Sequence, residues 1–475
     1  MTQASSSRST TSAISSNGDK ITLAELVGEF AASVVFEDLP APVVQRAKEL
    51  SLDCVGLALV AARGDLAAVG ARALAAMGGT GTGPCTIIGS DQRVAARDAA
   101  FANGLLVGAL DWDDTHLEGA FHASASAFPS SLAVAEDLGR SGPDFLLGYV
   151  VTLEVAARVA AAARDGIHQA GFAPTGVATT FGSAAGAAHL MGLPAADIAS
   201  AQGVAGSFAA GLLEFLEAGA WTKNVHGAWS AHSGVSAARL AAAGFRGPST
   251  VYEGDYGLYQ THLRDPEHEL RPEFFATLGS EWEVLRIAAK QYPVCHFSQA
   301  FLKALFELEA HHGLVLDDIA KVTCLVPEGV IATVCEPVDR RVAPLNGHDA
   351  QESLPFVLAA AILHGGFTEE QLSDEVVRDP RVHAMARRIS YEPYRDSKFP
   401  DSYDGELVVE TQAGDTLRNR NFADNLDFAA IEAKFLDNAG RTIGAEAGAR
   451  IEDAVMTLED SGSIRSLTDL LGARA

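Results

Sequence analysis

From residue 111 to 122 the chain reads Asp-Trp-Asp-Asp-Thr-His-Leu-Glu-Gly-Ala-Phe-His, directly after the apolar run 104–110. Asp111, Asp113, Asp114, His116, Glu118 and His122 gather proton-transferring and cation-pairing groups against a segment with the composition of a buried element. If the stretch is helical, Asp111, Thr115, Glu118 and His122 fall at steps of four, three and four and share a face. The competing reading is a solvated helix end whose acids complement the helix dipole.

Other polar islands interrupt apolar surroundings. At 221–233, Trp-Thr-Lys-Asn-Val-His-Gly-Ala-Trp-Ser-Ala-His-Ser puts Lys223, His226 and Ser230 on one helical face. An ammonium at Lys223 can hold a carboxylate as a point charge, or simply snorkel from a helix start. At 290–299, Lys-Gln-Tyr-Pro-Val-Cys-His-Phe-Ser-Gln sets His296 after a proline turn and before a helix, whose N–H groups suit an anion. The plainer reading is an interdomain loop capped by Ser298. The segment 171–182, Gly-Phe-Ala-Pro-Thr-Gly-Val-Ala-Thr-Thr-Phe-Gly, is a Gly/Thr loop entering a helix, and 346–356 opens another with Phe356 directed inward. Walker, Rossmann, HExxH, EF-hand and Gly-x-Ser-x-Gly patterns are missing, so the expectation is a site without a metal.

These groups need a scaffold. At 475 residues the chain exceeds one ordinary core, which predicts two domains. It is 48% hydrophobic and only 7% aromatic, and its abundant alanine favours close-packed helices. Residues 1–20 read as a disordered Ser/Thr tail. Helical periodicity runs over 21–275, and the Gly/Ala-rich helices 176–190 and 195–216 are expected to be the most buried pair. Residues 276–424 mix helices with strands near 319–327 and 388–392 and a hairpin around Gly414-Asp415. Residues 425–475 return to helices. The fold class is therefore mainly α, a large helical domain with an inserted smaller α+β domain. A cleft between two such domains is a common ligand site.

The net charge of −26 repels phosphate backbones and argues against nucleic acid as a partner. Five scattered cysteines without a CxxC pair suit reduced thiols and a cytoplasmic setting. Apolar runs broken by Gly, Asp, Glu or Arg predict no membrane span.

Taken together, Ala-Leu-Asp-Trp-Asp-Asp-Thr-His from Ala109, Pro-Thr-Gly from Pro174, Lys223 with His-Gly-Ala-Trp from His226, Tyr-Pro-Val-Cys-His from Tyr292 and Ser-Leu-Pro-Phe from Ser353 resemble the MmgE/PrpD family. That family comprises 2-methylcitrate dehydratases, cis-aconitate decarboxylases and iminodisuccinate epimerases. The resemblance implies a helical domain with an α+β lid, a homodimer, and a cleft site using neither metal nor organic cofactor. It implies Asp111, His122 and His296 as catalytic residues, and Thr115, Thr175, Gly176, Lys223 and Tyr292 as substrate-binding residues. Two positions depart from the pattern: Ala173 stands where the family carries histidine, and Phe356 where it carries tyrosine. His168 is the nearest histidine that could compensate for Ala173.

The implied chemistry is removal of a proton beside a carboxylate. General acids and bases move the proton, and cationic or N–H groups stabilise the enolate charge. A lyase of the dehydratase type on a small di- or tricarboxylate leads. Decarboxylation, epimerisation and a silent carboxylate-binding homologue are the alternatives.

Overall fold

The computed structural model describes residues 21–79, 81–264, 268–399, 402–423 and 425–472. The Ser/Thr tail expected at 1–20 lies outside the described residues. Helices of at least eleven residues are α1 Leu23–Ser33, α2 Ala41–Ala61, α3 Asp65–Ala76, α4 Ala96–Val107, α5 Ser124–Leu138, α6 Gly142–Ala163, α7 Pro174–Leu190, α8 Ala195–Ala205, α9 Thr222–Ala242, α10 His296–His312, α11 Leu354–His364, α12 Phe428–Thr442 and α13 Ala445–Met456. The protein is mainly α.

Helix α7 is the hub. Small residues let its neighbours approach at backbone distance: a Cβ on Gly182 would lie 2.4 Å from the Thr152 carbonyl of α6. On another face, a Cβ on Gly234 of α9 would lie 2.3 Å from Cβ of Ser183. The expectation that α7 and α8 are the most buried pair holds for α7, buried along nearly its whole length, and is corrected for α8, which buries only about half of its residues. Helix α7 packs most extensively on α6 and α9, while α8 packs mainly on α1. Helix α8 also stops at Ala205 rather than continuing to 216. Beyond it Gly211 takes φ = 136°, open to glycine, and the chain runs extended so that Leu212 bridges to Phe172.

Buried apolar residues form two clusters. One runs from Leu23 to Ile287 and resumes from Phe435 to Leu471. The other spans Val294 to Val409 and surrounds a four-stranded sheet. Its strands are β6 Ile319–Val326, β7 Ile389–Pro393, β8 Asp404–Thr411 and β9 Thr416–Phe422, after five two-residue strands earlier in the chain. Their order is β7-β6-β8-β9, with β6 and β7 parallel and the other neighbours antiparallel. Helix α10 lies against β8 and β9, and α12 packs against α2.

The expectation that no run is long and apolar enough for a membrane span is corrected by α6, which meets that test. Its qualifying window is 100% buried inside the protein, and its Glu154 and Arg158 pair with each other at 2.5 Å. Length and apolarity here serve a core helix. All five cysteines are free and buried.

Gly182→Ala forces a methyl against the Thr152 carbonyl, and overpacking of this kind costs about 1–3 kcal/mol. Urea unfolding should show that loss, and an unchanged midpoint would mean that α6 and α7 can separate at no cost.

Candidate active site

The acidic stretch is not helical. Residues Thr115–His116 form β3 and Phe121–His122 form β4, antiparallel, with Thr115 opposite His122 and also opposite Ala288 of β5 Ile287–Ala288. Extended backbone therefore brings Thr115 beside His122. Glu118, grouped with them on a helical reading, instead pairs with Arg271 at 2.7 Å. Asp111 precedes β3 in a left-handed conformation, φ = 50°, which is uncommon for a residue with a side chain.

That turn aims the buried Asp111 carboxylate at two ammonium groups. Lys223 Nζ donates to Oδ2 at 2.8 Å. Lys290 Nζ donates to Oδ1 at 2.5 Å and to the Asp111 carbonyl at 2.8 Å. His122 Nε2 lies 3.6 Å from Oδ1. Burial alone would push the Asp111 pKa up, but Lys223, Lys290 and His122 hold it well below the usual carboxylate range. Lys223 is also bound by Glu352 at 2.5 Å, and these two carboxylates overcome its desolvation and raise its pKa well above the ordinary ammonium value. Asp111 is thus held ionised between two ammonium groups, the setting in which any proton transfer implied by the resemblance would have to occur.

His122 is held from two sides. Its Nδ1 lies 3.0 Å from Asp113 Oδ2, and its backbone N–H donates to Thr175 Oγ1 at 2.9 Å. A carboxylate on Nδ1 fixes a proton there and leaves Nε2 for exchange. Asp113, desolvated but paired with His122, has its pKa lowered, whereas burial raises that of Asp114 to about 6.

Part of this cluster opens onto one cavity of about 110 Å³, whose lining does not include Asp111, Asp114 or Lys290. Asp113, Thr115, His122, Thr175, Lys223 and His296 line it, with Glu352 and Tyr403. The first turns of α7, α9 and α10 meet there through Thr175, Lys223 and His296. Unpaired N–H groups and the positive end of each helix dipole favour a bound anion. The opposite wall is apolar, built from Leu213, Phe215 and Leu216 with Ala173. His226 and His168 also face the cavity. Burial lowers the pKa of His168. Burial, then the nearby Lys223 charge, lowers that of His226 to about 4. Burial, then the charge of Lys290, lowers that of His296 to about 3, so it is neutral at pH 7.

Two residues implied as substrate-binding do not line the cavity. Tyr292 stacks its ring toward Phe306, 5.8 Å between centroids. Gly176 is buried in the first turn of α7, where its carbonyl accepts from Ser230 Oγ at 2.9 Å. Ser298, read as a possible cap, has a buried Oγ without a partner among the described residues. Phe356 is 0% exposed within the second apolar cluster, so its departure from the family pattern concerns core packing. Ala173 does line the cavity, and so does His168, five positions earlier in sequence. Sequence reading missed Lys290 and Glu352 as site residues, although both stood inside quoted islands. The signal for Lys290 was a lone cation directly after Ile-Ala-Ala.

Asp111, Asp113 and His122 hold their ligand atoms within 4.8 Å of one another, a spacing open to a metal ion. Two ammonium groups already occupy the Asp111 oxygens, so a cation there would meet like charge.

The chain belongs to the MmgE/PrpD family: the N-terminal domain model of that family matches residues 25–271 and the C-terminal domain model matches 292–460. It is 28% identical to a cis-aconitate decarboxylase-like protein, oryM, of Aspergillus oryzae, over 91% of this chain and 94% of that protein. It is 25% identical to a cis-aconitate decarboxylase of Aspergillus terreus, over 93% and 94%. It is 27% identical to the human cis-aconitate decarboxylase, over 80% of each chain.

Asp111→Asn leaves two clustered ammonium groups without their shared counter-charge. Breaking a buried ion pair from one side costs about 3–5 kcal/mol, and chemical denaturation at pH 7 should show a loss of that order. His296 sets a pH dependence. Its folded pKa lies below the ordinary 6.5, so its contribution is fully present above that value and is lost as pH falls toward 3. Between pH 7.5 and 5 wild type should lose roughly 2 kcal/mol through this group. His296→Gln should flatten that part of the profile; identical slopes would show that the histidine is not held neutral.

Proposed function

We propose that the protein is a lyase that forms a carbanion beside a carboxylate of a small di- or tricarboxylic acid, without a cofactor. One observation carries this reading. An ammonium, three helix N-termini and a carboxylate-oriented histidine converge on a single cavity. The cations and N–H groups suit carboxylate oxygens, whose charge they would also stabilise as it spreads into an enolate. His122 Nε2 is the group with both access and freedom to exchange a proton.

Decarboxylation is favoured over the dehydration that motifs alone put first, because the relatives named above are called cis-aconitate decarboxylases. In that reaction the C–C bond to one carboxylate breaks and carbon dioxide leaves. The electron pair enters the remaining unsaturated acid. Protonated His122 delivers its Nε2 proton to carbon, and solvent restores it. Dehydration would use neutral His122 to take a proton while the hydroxyl leaves with a proton from an acid. The two differ in the form of His122 they start from: the first uses the imidazolium as acid, the second the neutral ring as base.

The apolar wall beside Ala173 supports a second reading, a shifted substrate rather than a lost activity. Ala173 offers no proton, but it leaves space where a histidine would stand.

Purified protein should release carbon dioxide from cis-aconitate, or water from citrate or 2-methylcitrate, with solvent deuterium appearing in the decarboxylated product. His122→Gln should lower kcat by about 10²–10⁴-fold, leaving the fold intact by circular dichroism. Deuterium exchange with no net loss of carbon dioxide or water would identify an epimerase. Binding of all these acids without exchange or turnover would sink the catalytic reading.

A further inference from the structure

Helix α12 belongs to the segment that returns to the first apolar cluster, and its buried Lys434 lines no part of the cavity. Its ammonium nevertheless reaches the backbone behind the site. Lys434 Nζ donates to the carbonyl oxygens of Trp112 at 3.1 Å and Lys290 at 2.9 Å. It pairs with Asp53 of α2 at 2.7 Å and sits 4.8 Å from the centroid of the Trp112 ring.

Those two carbonyls are placed where they matter. Trp112 directly follows the left-handed Asp111, and Lys290 is the residue whose ammonium binds both the carboxylate and the carbonyl of Asp111. A side-chain-bearing residue stays in that conformation only where its surroundings over-determine it. Here Lys290 grips the turn from one side, and Lys434 grips both the turn and Lys290 from the other. Helix α2 adds a second hold on the same strand, since Arg46 Nη2 donates to the Ile287 carbonyl at 2.7 Å.

We propose that Lys434 is a positioning residue of this active site: by tying the Trp112 and Lys290 carbonyls together it fixes the Asp111 turn and sets the Lys290 ammonium on the Asp111 carboxylate. Two carbonyl dipoles accept from one ammonium, and the Asp53 carboxylate lies 2.7 Å away as its counter-charge. Helix α12 thereby acts on the chemistry through another residue, with no contact to substrate. The turnover part of its test rests on the lyase reading; the backbone part does not.

The test uses three variants of the whole protein. Lys434→Met removes the donor but strands the buried Asp53 carboxylate, so a failure to fold would say nothing about position. Asp53→Asn together with Lys434→Met removes both charges and keeps the volume. Asp53→Asn alone leaves the ammonium on both carbonyls. Amide hydrogen exchange in the peptide covering 108–118 is compared with a peptide in α7, and kcat/KM is measured with cis-aconitate. The double variant should exchange about tenfold faster at 108–118 and not in α7. It should also lose about 10–100-fold in kcat/KM, the usual cost of removing a group that orients a reacting residue. Asp53→Asn takes the counter-charge from a buried ammonium and should lose global stability, but with the ammonium still on both carbonyls its exchange at 108–118 and its kcat/KM should change less than in the double variant.

A double variant that matches Asp53→Asn in exchange overturns the positioning role. Faster exchange with unchanged kcat/KM overturns its link to catalysis. If the wild type leaves cis-aconitate untouched, the lyase reading falls on that substrate and the exchange comparison alone decides the role of Lys434.

Discussion

One carboxylate between two ammonium groups is the interaction on which the rest of the site depends. Without Asp111, Lys223 and Lys290 would repel each other. Like charges about 4 Å apart cost about 4 kcal/mol at the effective dielectric of a protein surface, and more where water is excluded. With Asp111 in place, Lys223 stands desolvated at the cavity wall as a cation, where a substrate carboxylate would join the Asp111 and Glu352 carboxylates as its third anionic partner. Glu352 tightens that hold from the other apolar cluster. The ionised state of Asp111 is therefore a structural requirement of the two ammonium groups it holds.

Four segments distant in sequence supply this arrangement: the turn before β3, the first turn of α9, the strand leading into α10 and the end of the short helix before α11. They belong to both apolar clusters, so the charge centre forms only where the two meet. The hub helix α7 contributes in two ways. Its glycines let α6 and α9 close upon it, and its N-terminus delivers Thr175 to the His122 backbone. Helix α9, drawn in by that packing, carries Lys223 at its start. Core packing and site geometry are here one set of constraints.

Much of this was legible in the residues. Alanine and glycine content announced close-packed helices, the β-branched run at 319–327 and the hairpin pattern around Gly414-Asp415 announced strands, and the polar islands marked Asp111, His122, Lys223 and His296, which the fold brings near one another. Three things were not legible. The spacing of Asp111, Thr115, Glu118 and His122 suits a helix, but strand pairing of Thr115 with Ala288 overrides it, and local spacing carries no information about a partner 173 residues away. Lys290 drew no reading of its own, because its meaning lies in a contact with Asp111. Phe356 looked like a lost hydroxyl in the site, whereas burial places it in the core; motif position alone does not say which way a side chain faces.

The central claim is that the Asp111-held ammonium is a carboxylate receptor. Its most direct test is a calorimetric titration with tricarballylate, a tricarboxylate with neither hydroxyl nor double bond to react. Binding should saturate at one site per chain and weaken about tenfold or more in Lys223→Met, since a charged hydrogen bond of about 1.5–3 kcal/mol is lost. Equal affinity in wild type and Lys223→Met, or no binding by wild type at all, would contradict it.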